Sequence, residues 1–247
     1  MIVEPKRVEL KISIRAKHAK EARHKLALND KDATTANIWF CDLPLGGHHA
    51  GFELFDRGLI VRLRSKDGDD SDTTVKYRQP QPLDMPSGWD DVDAHPNFKI
   101  EGDWTGKNHQ VSASLDATVE GNVIDGAVEA GLPLSHELFS ADQRAFANAL
   151  TAPGKVSLTS LQPLGPIHAL RWQEAPREDL AEEIGAEQWT AGELVFLELS
   201  IRVKFDSAQE WQHTFKDWAV KKGFGASSMG STKTQAVLEY FAGRLPK

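Results

Sequence analysis

The chain has 247 residues, 40% of them hydrophobic and 26% charged, and a net charge of −7; this is ordinary globular composition, with apolar material for a sizeable core, and it excludes a disordered chain. The negative balance argues against general nucleic-acid binding, which needs a basic stripe or a domain pI above about 9, so any anion site must be local. No apolar run approaches the roughly 20 residues that cross a bilayer, and the opening MIVEPKRVELK lacks a signal-peptide core, so the expectation is a cytoplasmic protein with no membrane partner.

The first segment, Arg7 to Ile14, alternates polar and apolar without a break. Period 2 means a strand, with Val8, Leu10, Ile12 and Ile14 on one face and Arg7, Glu9, Lys11 and Ser13 on the other. Residues 17–28 are good helix formers. Strands are predicted over Asn37–Cys41, Leu59–Ser65 and Thr73–Gln79, the last two joined as a hairpin by the turn-rich KDGDDSD. After a proline-rich loop, Phe98 and Ile100 alternate with Lys99, Glu101 and Asp103. The stretch from His109 to Val128 alternates weakly and is broken by glycines. A helix follows at 140–151, then strand signals around Leu158–Leu161 and Ile167–Trp172, and a charged helix at 177–188. Leu194–Phe205 is the longest predicted strand, with Glu198, Ser200, Arg202 and Lys204 sharing a face. Two helices close the chain, one from Ser207 with Glu210 placed for a capping box, the other over about Ser231–Leu245. With no long linker or repeat, one domain over residues 1–247 is expected.

Cys41 is the single cysteine, which excludes a disulfide framework and a cysteine-rich zinc site and reads as a small buried apolar side chain. His48 and His49 lie among glycines without the i, i+4 spacing of a helical metal site. The informative polar residues are on strands. Charged alternation on one strand usually marks only a solvated face. Here it recurs: Arg62 and Arg64 as an R-x-R pair, Lys76 on the next strand, Glu101 and Asp103 as an E-x-D pair, and Glu198 on the long strand. Each doublet sets two side chains on one face about 7 Å apart. If the sheet closes into a barrel, these faces line one lumen. Buried like charges demand counter-charges, so such a lining implies a bound polyanion, and carboxylates beside basic groups imply an accompanying cation. Arginine forks suit phosphate oxygens, and Mg²⁺ takes one or two carboxylates plus water and phosphate.

In this order the residues resemble the CYTH, or triphosphate tunnel metalloenzyme, superfamily, which includes inorganic triphosphatases, thiamine triphosphatases and class IV adenylyl cyclases. The resemblance spans nearly the whole chain. Arg7-Val8-Glu9-Leu10-Lys11 is similar to the opening E-x-E-x-K strand, Trp39-Phe40-Cys41-Asp42 to the aromatic-aromatic-acid segment, and Arg62-Leu63-Arg64 with Lys76 to the basic strands. Glu101-Gly102-Asp103 resembles the acidic pair, Arg171-Trp172 the mid-chain basic strand, Glu198 the late E-x-E strand, and Ser231-Thr232-Lys233 the final helix start.

The resemblance implies an α+β fold, an eight-stranded antiparallel closed β tunnel with surrounding helices. It implies that Lys11, Arg62, Arg64, Lys76, Arg171 and Lys233 grip phosphates, with Arg202 adding to them, and that Glu9, Glu101, Asp103 and Glu198 hold Mg²⁺ or Mn²⁺. The implied reaction is metal-dependent hydrolysis of inorganic triphosphate or a small organic triphosphate, in which the ion neutralises charge and orients water, and no serine or cysteine nucleophile is needed. Arg7 and Ser200 depart from the pattern, each replacing a glutamate. Those departures favour a second expectation, a non-catalytic protein that binds polyphosphate or a nucleotide on the same fold; no base-recognition motif supports a cyclase.

Overall fold

The computed structural model describes residues 1–44, 52–68, 70–151, 156–175, 180–224 and 233–243. The elements in chain order are β1 (Ile2–Val3), β2 (Arg7–Arg15), α1 (Ala16–Lys25), β3 (Thr34–Asp42), α2 (Glu53–Asp56), β4 (Leu59–Lys66), β5 (Ser71–Pro80), β6 (Leu83–Asp84), β7 (Phe98–Thr105), β8 (Asn108–Val119), α3 (Val123–Ala130), α4 (Ala141–Leu150), β9 (Gln162–Ala175), β10 (Ile184–Ala191), β11 (Leu194–Lys204), α5 (Ala208–Lys221) and α6 (Lys233–Phe241). The strand pair β1–β6 stands apart, and the other strands close into a barrel in the order β10-β11-β2-β7-β8-β5-β4-β3-β9.

Two features correct the expected architecture. The barrel has nine strands among the described residues rather than eight, and it is mixed, because β2 and β7 pair in parallel while β11–β2, β10–β11, β9–β10 and β4–β5 are antiparallel. A parallel pair needs a long connection, and β3, β4, β5 and β6 lie between β2 and β7 in the chain. The strand absent from the sequence reading is β10, whose segment was expected to be helical over 177–188. Charged residues there favour a helix weakly, but ladders on both edges, to β9 and β11, outweigh that propensity. Gly192, with φ of +56°, makes the tight turn into β11. Residues 177–179 of that segment lie outside the described residues.

The chain divides into two compact units: unit 1 is Met1–Glu4, Asn37–Ile100 and Val111–Pro166, and unit 2 is Pro5–Ala36, Glu101–Gln110 and Ile167–Lys247. Unit 1 buries Trp39, Val61, Leu63, Val75, Leu115 and Phe146 in one core. Its helix α4 starts with a capping box the sequence reading did not single out: Ser140 Oγ accepts from the Gln143 amide at 3.0 Å while Gln143 Oε1 accepts from the Ser140 amide at 3.1 Å. The fully buried Gln143 then donates to Thr73 O at 2.9 Å and Leu115 O at 3.0 Å, tying the helix to β5 and β8. Cys41 is buried and burial pushes its thiol up, as a small apolar side chain should be. Two weak segments resolve here: 109–128 takes in all of β8 but its first residue and most of α3, and Leu158–Ser160 is a single 3-10 turn before β9.

Unit 2 packs Val8, Leu10 and Ile14 of β2 with Leu197, Leu199 and Ile201 of β11, under Ala19 and Ala22 of α1 and Phe215 and Trp218 of α5. Gly102 faces Val8 across the parallel pair, and a Cβ there would lie 2.8 Å from Val8 Cγ2, so β7 approaches β2 only because the middle of the E-x-D doublet is glycine. The capping box expected at Ser207 does not form. Ser207 ends a 3-10 turn at φ −104°, ψ 2°, and its hydroxyl donates back to Lys204 O at 3.2 Å. No helix among the described residues is long and apolar enough to cross a membrane.

Candidate functional site: two clusters of charged side chains

In unit 1 the antiparallel register sets Arg64 opposite Asp72, Arg62 opposite Thr74 and Ile60 opposite Lys76, so the whole basic doublet and its neighbours share one face of the β4–β5 hairpin. Asp72 is the hub. Its Oδ1 accepts from Arg62 Nη2 at 3.1 Å, and its Oδ2 accepts from Arg64 Nε at 2.8 Å and Nη2 at 2.6 Å and lies 3.0 Å from Lys66 Nζ. Arg62 Nη2 also donates to Thr74 Oγ1 at 2.8 Å, whose hydroxyl donates to Asp116 Oδ1 at 2.6 Å, and Lys99 Nζ holds the other Asp116 oxygen at 2.7 Å. Burial opposes ionisation of Asp72 and of Asp116, but Arg62 and Arg64 beside the first, and Lys99 and Thr74 beside the second, hold both carboxyls below their usual values. Lys76 is half-buried on the same face.

In unit 2 the register lines up Arg202, Glu9 and Asp103 across β11, β2 and β7, and Arg171, Glu187, Glu198 and Ser13 across β9, β10, β11 and β2. Lys11 Nζ lies 3.0 Å from Glu9 Oε2 and 2.8 Å from Asp103 Oδ1. Arg202 lies 3.2 Å from Glu9 and 3.9 Å from Glu101. Lys233, the first residue of α6, lies 2.8 Å from Glu187 and 3.0 Å from Glu198, with its ammonium 3.7 Å from the Trp189 ring centroid. Burial works against the charge on both lysines, yet the facing carboxylates hold the pKa of Lys11 well above its usual value and raise that of Lys233. Burial likewise opposes ionisation of Glu9, and Lys11 with Arg202 lowers its pKa.

The residues singled out by sequence thus fall into separate groups. Arg62 and Arg64 share one hub, while Lys11 with Glu9 and Asp103, Arg202 with Glu9 and Glu101, and Lys233 with Glu198 form ion pairs in the other unit. Arg171 is exposed on β9, opposite Glu187. Arg7 is exposed at the start of β2, opposite Lys204, and Ser200 stands opposite Lys11. Ser231, Thr232, His48 and His49 lie outside the described residues. Sequence reasoning missed Lys66, Asp72, Thr74, Asp116 and Glu187 as site residues. The available signal for Glu187 was the glycine turn after Ala191, which makes the preceding segment one arm of a hairpin.

The donor chemistry of Glu9 and Asp103 suits Mg²⁺ or Mn²⁺: two hard carboxylates directly opposite each other on adjacent strands, which such an ion supplements with water and phosphate oxygens. Both now face the Lys11 ammonium. Among the described residues no three of His, Cys, Asp or Glu gather closely enough to form a complete protein cage for a metal.

No family model and no curated protein matches this sequence. The fold does match solved structures. A candidate adenylate cyclase from Bacillus halodurans superposes with a TM-score of 0.57 at 12% identity, covering 94% of this chain and 97% of the other. A candidate adenylyl cyclase from Hippeastrum, described as having a dominant triphosphatase activity, superposes with a TM-score of 0.62 at 11% identity, covering 97% of each chain. These likenesses bear out the closed β tunnel with surrounding helices expected from the sequence, at the level of fold. At these identities it is the backbone that is shared; the chemistry must be argued from the side chains.

Proposed function

We propose that this protein binds inorganic triphosphate or a small organic triphosphate and hydrolyses it with the help of Mg²⁺ or Mn²⁺. The observation that carries the reading is the unit 1 cluster, where Arg62, Arg64 and Lys66 converge on the single carboxylate of Asp72 and leave a local excess of positive charge in a chain that is acidic as a whole. Guanidinium groups pair with phosphate oxygens through charge-assisted hydrogen bonds, which are roughly twice as strong as neutral ones. The likeness to a fold that carries triphosphatase activity in the Hippeastrum protein agrees with this. In unit 2, Glu9 and Asp103 are the residues that would hold a divalent ion, which when bound would neutralise charge on its oxygen ligands and activate water. Lys11 pairs with both of these carboxylates, and Glu101 and Glu198 pair with Arg202 and Lys233.

A second reading, anion binding without turnover, is favoured by that same placement of Lys11 and Arg202, because each ion must compete with a protein cation for its carboxylates. One experiment separates the two: phosphate release from a panel of triphosphates with Mg²⁺, Mn²⁺ or EDTA, beside calorimetric binding in EDTA. Metal-dependent release supports the hydrolase. Binding without release in any metal supports the second reading, and failure to bind any polyphosphate at low salt sinks both.

A further inference from the structure

The hub of the unit 1 cluster is a carboxylate that the phosphate-grip reading does not itself require. Both oxygens of Asp72 are taken up by three cations, and the Nε/Nη2 edge of Arg64, the edge that would take two phosphate oxygens, is turned onto its Oδ2 at 2.8 and 2.6 Å. Asp72 cannot simply step aside. It lies directly opposite Arg64 in the β4–β5 ladder, and its side chain is 12% exposed.

We infer that Asp72 is a built-in counter-anion that sets how tightly this cluster holds an incoming phosphate-bearing ligand, and so determines its selectivity by charge. The inference rests on the reading of Arg62, Arg64 and Lys66 as a phosphate grip. Two effects compete when the charge on Asp72 is removed. The arginines lose an orienting partner, which costs roughly tenfold in affinity at most. The ligand loses a fixed negative charge about 5 Å away, which even at an effective dielectric near 20 is worth more than about tenfold per ligand charge. Arg62 also keeps its bond to Thr74 Oγ1 at 2.8 Å, so orientation is only partly lost. Repulsion is the larger effect, and it grows with the charge of the ligand. With Asp72 ionised, three cations facing one carboxylate leave room for about two further negative charges, which matches a phosphoryl group better than a monoanion.

The test is calorimetry in EDTA at fixed salt, with sodium tripolyphosphate and orthophosphate as the probes. Asp72→Asn should bind tripolyphosphate at least about a hundredfold more tightly than the wild type, with a smaller gain for orthophosphate, while Asp72→Glu, which keeps the charge, stays within about threefold. Equal or weaker binding of tripolyphosphate by a folded Asp72→Asn overturns the inference, as does a gain of equal size for both probes. If that variant does not fold, Asp72→Ser takes its place, and failure of both to fold overturns the inference by making Asp72 a structural keystone. If the wild type binds nothing and Asp72→Asn binds tripolyphosphate, the functional reading fails and the inference stands; if neither binds, both fail.

Discussion

The two units carry charged clusters of opposite balance. In unit 1, four cations (Arg62, Arg64, Lys66 and Lys99) meet two carboxylates, Asp72 and Asp116. In unit 2, three cations (Lys11, Arg202 and Lys233) meet five carboxylates, Glu9, Glu101, Asp103, Glu187 and Glu198. The same device, side chains alternating on the polar face of barrel strands, therefore yields a surplus of positive charge in one place and of negative charge in the other. A surplus is what a ligand from solution can neutralise, and under the proposed function the unit 1 cluster would meet the anion and the unit 2 cluster the cation. The overall charge of −7 conceals this division.

The comparison breaks most visibly at Lys233, the most enclosed cation of the set, its side chain 8% exposed. Lys233→Met strands Glu187 and Glu198 facing each other across the β10–β11 ladder without their partner. Breaking a buried pair costs about 3–5 kcal/mol; with Glu187 25% exposed, a loss near the lower end, about 3 kcal/mol, is expected from urea unfolding. A loss under about 1 kcal/mol would mean that the ammonium cage adds little to the attachment of α6. Next in size is Arg64→Ala, which should weaken tripolyphosphate binding roughly 10- to 100-fold while leaving the melting temperature close to that of the wild type. Unchanged affinity there, and in Arg62→Ala, would remove the assignment of the surplus in unit 1 to anion binding.

How much of this was legible in the sequence follows from what each feature depends on. Strict alternation in Arg7–Ile14 and Leu194–Phe205 was enough to read β2 and β11, because a two-faced strand repeats every second residue whatever it pairs with. The segment 184–191 carries weaker alternation, and its strand state depends on having neighbours on both edges, which local propensity does not report. The basic doublet was readable for the same reason as the strands. Its partner was not. Four aspartates, at 67, 69, 70 and 72, sit in one turn-rich stretch and look equivalent in sequence. Only the register of the hairpin selects Asp72, by setting it opposite Arg64. Glu187 was hidden twice, by the helical reading of its segment and by a register that depends on the turn at Gly192.

A smaller effect distinguishes the carboxylates of the two clusters from ordinary surface acids. Glu9 titrates below the usual 4.5, and Asp72 and Asp116 below the usual 3.8, in the folded state. A lowered folded pKa means that the unfolded chain takes up protons first, so these groups contribute stability above about pH 4.5 and lose it as the pH falls through their folded values. Asp42 works in the opposite sense, since burial raises its pKa despite amide donors from Leu43, Leu54 and Phe55, so it favours the fold progressively as the pH drops towards its unfolded value. The three lowered groups should outweigh the one raised. Denaturant midpoints flat from pH 7 to 5 and falling below about 4.5, with a shallower fall in Asp72→Asn, would bear this out, and an acid limb identical in that variant would remove Asp72 from the account.

The smallest expected change in stability is at Arg202, and it asks the sharpest question of unit 2. Its side chain is 50% exposed, and its contacts are 3.2 Å to Glu9 and 3.9 Å to Glu101, so solvent screens the pair and Arg202→Gln should shift the unfolding free energy by no more than about 0.5 kcal/mol. The substitution nevertheless removes the cation paired with Glu9 and Glu101, while Lys11 still pairs with Glu9 and Asp103. A divalent ion then faces less repulsion and less competition for the same oxygens. If the surplus of carboxylate in unit 2 is what holds Mg²⁺ or Mn²⁺, the rise in melting temperature on adding either ion should be larger in Arg202→Gln than in the wild type, because stabilisation by a ligand grows with its concentration relative to its dissociation constant. Lys66→Gln in unit 1 provides the contrast: it also removes a cation beside a carboxylate, but in a cluster that keeps Arg62 and Arg64, and it should leave the response to the metal unchanged. An equal metal response in all three proteins would show that charge balance in unit 2 does not govern cation binding, and the proposed role of Glu9 and Asp103 would then have to be abandoned.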